Sequence, residues 1–319
     1  MTHAQALWYT GPGQVAIRGE ELEEGEVRVR ALYSGISRGT ERLVLQGRVP
    51  LSEQQRMRCP RQDGEFPFPV KYGYALVGEV EHGPKNLEGK SVFLLHPHQT
   101  RASAALAEVH RLPKGLPARR AGLTANMETA LNIMWDAGVA AGDRVSIVGG
   151  GVLGLLIAGL CAQIPGAETT VVDPDPARET PARTLGAAFA RPADAPQDQD
   201  VVIHTSAAES GLTLALNSAG IEARVVEASW YGDKAPAIPL GGAFHARRLQ
   251  LISSQVGMVA PGHRPRWTYA RRLQTAMTLL LDPVFDILIT GELAFADAPG
   301  QMPGIIADNT GLMTVIRYP

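Results

Sequence analysis

Cysteine is nearly absent: Cys59 stands in a polar stretch and Cys161 inside an apolar one, and 319 residues hold no other. Two thiols so placed give no disulfide framework and cannot form a four-thiolate metal lobe. Long apolar runs are missing too, since none reaches the roughly 18 residues that a membrane helix needs. Neither sign of charge dominates, with 30 basic against 32 acidic residues. That balance removes any electrostatic case for nucleic acid or an anionic membrane surface as a partner. The first residues, Met1 to Gln14, lack the charged-then-apolar layout of a secretory signal, so the cytoplasm is the expected location. What is present is ordinary for a globular protein, 45% hydrophobic and 19% charged, in a chain long enough for two domains.

The most informative stretch runs from Asp143 to Pro176. Val145 to Val148 is a short apolar run suited to a buried parallel strand. Gly149-Gly150-Gly151-Val152-Leu153-Gly154 follows, a G-x-G-x-x-G pattern, and an apolar helix pattern continues to Ile164. A second strand, Thr169 to Val172, closes on Asp173. Gly149 permits the tight turn, Gly151 lets a pyrophosphate reach the backbone, and Gly154 allows close packing of helix on strand. The N–H groups opening the helix, at Val152 and Leu153, then face the phosphates. Asp173 lies 19 residues past Gly154, where a carboxylate reaches both ribose hydroxyls. A carboxylate there repels a 2′-phosphate, so NAD is preferred; Arg178 nearby keeps NADP open.

Residues 1–120 read as β-rich, with alternating segments at Gln14–Ile17, Gly25–Leu32, Ala75–Glu81 and Ser91–Leu95. Arg48 to Phe68 is polar and unpatterned, longer than a routine connection. Residues 121–258 alternate helix and strand, which gives a doubly wound parallel sheet. Residues 259–319 hold helices at Thr268–Leu281 and around Gln301, then a strand at Met313–Arg317, and are expected to return to the first domain.

This order of domains, with Ser34–Glu41 (SGISRGTE), Lys71–Val80 (KYGYALVGEV) and Met127–Leu131 (METAL), resembles the medium-chain dehydrogenase/reductase superfamily. The resemblance implies an α/β fold, a Rossmann doubly wound parallel sheet inserted into a GroES-like β-rich catalytic domain, and a homodimer. Within that superfamily, the SGISRGTER run is similar to bacteriochlorophyllide hydroxyethyl dehydrogenases, by a short motif only. Where zinc-dependent relatives carry metal ligands, this chain has Ser37, Tyr74 followed by Ala75, and Ala125. None of these is a thiolate, imidazole or carboxylate, so a zinc-independent branch is expected.

The resemblance places Ser37, Arg38, Thr40, Tyr74, His96 and Glu128 at the substrate pocket. Without a metal, a side chain must donate to the oxygen of a carbonyl undergoing reduction. Tyr74 can do so, and its bland reading is an aromatic filling the metal's space. His96-Pro97-His98 puts two imidazoles on one face of an extended chain, too few for a convincing metal site; His98 is expected at the surface or between domains. Glu128 is expected to pair with Arg38, because either charge buried alone is costly. Ser206, Ser229, Trp230 and Tyr231 follow sheet strands at their C-terminal ends, where open parallel sheets bind ligands, and are cofactor candidates. The group Arg264, Arg266, Arg271 and Arg272 includes a solvated helix face, with contact to an anionic substrate or a partner as the lesser reading.

The expected function is NAD(P)-linked interconversion of an alcohol and a carbonyl on a small molecule, by hydride transfer in the cleft between domains. Reduction of an enone or quinone, or a dinucleotide-binding sensor without turnover, are the alternatives.

Overall fold

The computed structural model describes residues 3–319. They divide into two units, one of residues 3–125 and 277–319, the other Asn126–Ala276. The second unit is a six-stranded parallel sheet in the order Ala188–Ala190, Glu168–Val172, Arg144–Val148, Gln199–His204, Ala219–Glu227, Gln250–Ser253. The order reverses beside Arg144–Val148, which lies between the strands that follow it on either side. In such sheets the ligand crevice opens at the carboxyl ends of the strands at that point. Strands buried on both faces need side chains that pack on both, and Val145, Ile147, Val171, Val201, Val202, Ile203 and Val225 are all fully buried. One face is closed by the helix Glu209–Ser218, whose Leu212, Ala215 and Leu216 pack with Val148, Val172, Val202 and Val225.

The first unit holds two antiparallel-rich sheets. Gln14–Glu21, His3–Gly11, Val70–Lys71 and Asp63–Gly64 form one. The other centres on Val27–Gly35, flanked by Leu76–His82 and by Met313–Arg317 from the end of the chain. Ile289–Ala294 pairs in parallel with Met313–Arg317. The tail therefore completes a sheet begun some 280 residues earlier, and the first unit resumes at Met277. Residues 259–276 stay with the second unit because Arg272 is fastened to Glu128 and Asn132, and His263 stacks on Trp135 at 4.2 Å. No helix among the described residues is long and apolar enough to cross a membrane.

Candidate active site

In the second unit, the strand Arg144–Val148 ends in Gly149 at φ +117°, a conformation that side chains rarely adopt. A Cβ there would also lie 2.7 Å from Thr205 Oγ1 and 2.9 Å from Ser206 N. Gly154 sits so tightly that a Cβ would overlap the Gly149 carbonyl oxygen. Gly151 differs from both. It is the N-cap of the helix Val152–Cys161, no side chain caps that helix, and a Cβ built on it would meet nothing within 4 Å. The N–H groups of Val152, Leu153 and Gly154 lack intrahelical partners by construction, so they face an open cradle. A diphosphate fits that cradle, and packing alone does not explain a glycine at 151.

Asp173 closes the neighbouring strand, half-buried, with Oδ2 accepting from Gly150 N at 2.6 Å and Oδ1 from Asp175 N at 2.8 Å. Two backbone donors fix the carboxylate and leave further lone pairs for ribose hydroxyls. Arg178 is buried, with Nε 3.2 Å from Asp175 Oδ2, and its Cβ and Cγ pack on Gly150.

Further along the same sheet edge, His204 and Glu227 are register partners on adjacent parallel strands. His204 Nδ1 lies 2.7 Å from Glu227 Oε2, and Nε2 lies 2.6 Å from Ser206 Oγ. Ser229 N donates to Glu227 Oε1 at 2.7 Å, Tyr231 OH donates to Oε2 at 3.2 Å, and Ala207 N donates to Ser229 Oγ at 3.0 Å. Burial raises the Glu227 carboxyl, but the His204 and Ser229 contacts outweigh it and the net shift is downward. Burial, then Glu227, push the Tyr231 phenol up. Trp230 is half-buried beside them. Ser206, Ser229 and Tyr231 are thus brought together by two residues that the sequence reading passed over, His204 and Glu227.

Glu128, on the helix Thr124–Ala137, is paired with Arg272, whose Nε lies 3.0 Å from Oε1. This corrects the expected Arg38–Glu128 pair. Arg272 is thereby set apart from any solvated face of its basic group, for it is 2% exposed. Its remaining N–H groups go to Asn132 Oδ1 at 2.6 Å and Val256 O at 2.6 Å, so it fastens the segment after the last strand. Burial raises the Glu128 carboxyl, partly offset by Arg272.

In the first unit, Ser37 precedes the helix Arg38–Leu45 but its hydroxyl does not cap it. That hydroxyl and the one on Thr40 instead reach the phenol oxygen of Tyr74, so three of the expected pocket residues meet. Burial of the phenol, against these two contacts, pushes it up to about 12. The Tyr74 ring meets Tyr72 edge-on at 6.1 Å. Beneath Ser37, Glu41 is fully buried; Oε1 accepts from Ser37 N at 2.7 Å, and Oε2 accepts from Tyr9 OH at 2.6 Å. His98 Nε2 lies 3.0 Å from the same Oε2, and its Nδ1 lies 2.7 Å from Ser34 Oγ, which meets Tyr318 OH at 2.9 Å. His98 is therefore a fully buried core residue, not a surface one, bonded to Glu41 and Ser34 and packed close against Gly73. Arg38 donates to the carbonyls of Asp308, Gly311 and Leu312, clamping a loop of the return segment. His96 is buried, Nδ1 bonds Pro97 O at 2.9 Å, and burial lowers its imidazole to about 4.

Hydroxyls at Ser37, Thr40 and Tyr74 are not a donor set that fits zinc. Among the described residues, no three His, Cys, Asp or Glu side chains gather where they could hold a metal ion. Both cysteines are buried free thiols, each pushed up to about 12 by burial.

No family model matches the chain. Among solved structures, it is similar to L-idonate 5-dehydrogenase from Escherichia coli K-12, with a TM-score of 0.80 at 15% identity over 99% of each chain. It is also similar to a short chain alcohol dehydrogenase from E. coli CFT073 complexed with NADH, with a TM-score of 0.78 at 16% identity over 100% of each. The yhdH oxidoreductase from Salmonella enterica in complex with NADP matches with a TM-score of 0.70 at 18% identity, again over 100% of each. The fold is therefore the two-unit dehydrogenase architecture, a Rossmann sheet inserted into a β-rich unit.

Proposed function

We propose that this chain is a nicotinamide-dinucleotide-dependent oxidoreductase that interconverts an alcohol and a carbonyl, with hydroxyl side chains in place of a metal. The observation that carries the reading is the uncapped glycine cradle, open at Gly151 and followed by a fixed carboxylate at Asp173. The backbone N–H groups of Val152, Leu153 and Gly154 hold the pyrophosphate, and Asp173 accepts from the ribose. Asp173 and Asp175 together disfavour a 2′-phosphate, and Arg178 is already committed to Asp175, so NAD is the preferred partner. Ser206, Ser229, Trp230 and Tyr231 border the dinucleotide. When bound, it supplies or accepts the hydride.

The substrate's oxygen is the concern of Ser37, Thr40 and Tyr74. A phenol held at about 12 is a poor acid toward water yet still stronger than an alcohol. Transfer of its proton to a nascent alkoxide therefore runs downhill, and Ser37 and Thr40 stabilise the phenolate left behind. His96, neutral and with Nε2 free of the Pro97 bond, orients the substrate. Arg38 shapes this region through the loop it clamps, while Glu128 holds Arg272 within the second unit. The same high phenol value favours one other reaction, enone reduction, in which the carbonyl oxygen needs only hydrogen bonds while hydride adds to carbon. We further propose a soluble, cytoplasmic homodimer acting on a small molecule.

The test is NADH oxidation against panels of simple ketones, aldehydes and enones, before and after chelation. Turnover insensitive to chelator, with Tyr74→Phe lowering kcat by ~10²–10⁴ at little change in KM, is expected. Chelator-sensitive turnover sinks the metal-free mechanism. Equal rates from Tyr74→Phe remove the tyrosine from it.

A further inference from the structure

The carboxyl edge of the parallel sheet carries a constellation that holding a dinucleotide does not require. Ser206 Oγ, His204 Nε2, His204 Nδ1 and Glu227 Oε2 form one continuous line of hydrogen bonds, 2.6 and 2.7 Å long. The carboxylate is itself fixed by Ser229 N and Tyr231 OH. With Nδ1–H donated to that carboxylate, Nε2 must accept, and the proton in position to fill it is that of the Ser206 hydroxyl. His204 is fully buried while Ser206 is exposed. The serine hydroxyl thus covers the base in the resting site and is itself reachable from solvent.

The backbone adds two independent observations. Ser206 stands at the corner between the strand Gln199–His204 and the helix Glu209–Ser218, and the next residue, Ala207, is held at φ +52°. A strand, a strained corner bearing a hydroxyl, and a helix is the layout that lifts a serine nucleophile above a parallel sheet. Second, Gly211 lies inside that helix, where glycine costs ~1 kcal/mol relative to alanine. A Cβ there would lie 2.7 Å from His204 Nε2 and overlap Ser206 Oγ. The glycine keeps room for the serine–histidine contact. The first-turn N–H groups of the same helix lack intrahelical partners and begin three residues beyond the serine, a helix N-terminus of the kind that stabilises an oxyanion.

We propose that Ser206 is an activated nucleophile, with His204 as general base and Glu227 as its orienting carboxylate, and that this unit hydrolyses small carboxylic esters. Ser206 Oγ forms a bond to the ester carbonyl carbon as its proton passes to His204 Nε2. The alcohol then departs with that proton as the carbon–oxygen bond breaks. Water, deprotonated by His204, attacks the acyl-serine, releasing the carboxylic acid and restoring Ser206. No oxidant or reductant enters, so the activity is independent of the dinucleotide chemistry.

The experiment uses the full chain free of nucleotide, a fluorophosphonate probe with peptide mapping, and p-nitrophenyl acetate hydrolysis. Attack of Ser206 on phosphorus expels fluoride and leaves one adduct, mapped to Ser206. Ser206→Ala abolishes both signals. Glu227→Gln, which spoils the imidazole tautomer, slows labelling by ~10²-fold or more. Gly211→Ala deletes none of the three groups and slows labelling too, by displacing Ser206 from His204. Circular dichroism verifies the fold of each variant. An adduct elsewhere, no adduct on folded protein, or undiminished labelling in folded Glu227→Gln or Gly211→Ala overturns the proposal. Labelling and ester hydrolysis are read on nucleotide-free protein, and NADH titration of the wild-type chain tests the dinucleotide reading separately.

Discussion

Replacing Gly151 by alanine should separate the stability of the second unit from its capacity to bind a dinucleotide. The backbone at 151, φ −74° and ψ 179°, suits any residue, and the added methyl meets no atom within 4 Å. Alanine there restricts the unfolded chain and stabilises by ~0.4–1 kcal/mol. For a unit of roughly 150 residues this raises Tm by about 1–4 °C. The same methyl stands where the diphosphate must approach the uncapped N–H groups. Losing two hydrogen bonds to a charged group, ~1.5–3 kcal/mol each, weakens binding by ~10²–10⁴-fold. Gly154→Ala behaves oppositely, since its Cβ overlaps the Gly149 carbonyl and the helix must move off the strand, at ~1–3 kcal/mol. Differential scanning fluorimetry and calorimetric titration of NADH read both quantities. Wild-type affinity in Gly151→Ala, or loss of binding only together with loss of fold, refutes the cradle.

Arg272→Met should lower stability by ~3–5 kcal/mol at pH 8, because Glu128 is left charged and buried without its partner. The loss shrinks on acidification as Glu128 takes up a proton, and Glu128→Gln in the same chain recovers most of it; urea titrations at pH 5 and 8 test both points. His96 is held near 4 when folded against about 6.5 when unfolded, so the unfolded chain binds the extra proton between those values. Its contribution is complete above pH 6.5 and falls by ~3 kcal/mol as pH drops toward 4. Folded His96→Gln should show a flatter stability profile over that window, and an unchanged slope contradicts the assignment.

The glycine turn was legible because its requirements are local: a strand end, a positive φ, a close helix and an acid at fixed spacing all lie within one stretch. The strand Met313–Arg317 was also read from the sequence, and the structure bounds it at the same residues. The helix Arg38–Leu45 was not, since Ser37 and Thr40 turn their hydroxyls to Tyr74 and Glu41 turns inward to Tyr9 and His98. A buried carboxylate satisfied by residues 32 and 57 positions away leaves no periodic trace. The burial of Arg272 left no trace for the same reason, its partners lying 144 and 140 residues back. His204 and Glu227 did leave a signal, each ending its strand run on an ionisable residue. Pairing successive parallel strands in register would have matched them before any coordinates.

Titration of the purified chain with NADH and with NADPH tests the central claim most directly. The account predicts saturable binding, tighter for NADH, with stabilisation of ~2.7 kcal/mol at a ligand concentration of about 100 Kd. For a unit of roughly 150 residues that is a rise in Tm of about 5–11 °C. Heat, fluorescence and melting temperature unmoved by millimolar concentrations of either dinucleotide would contradict it.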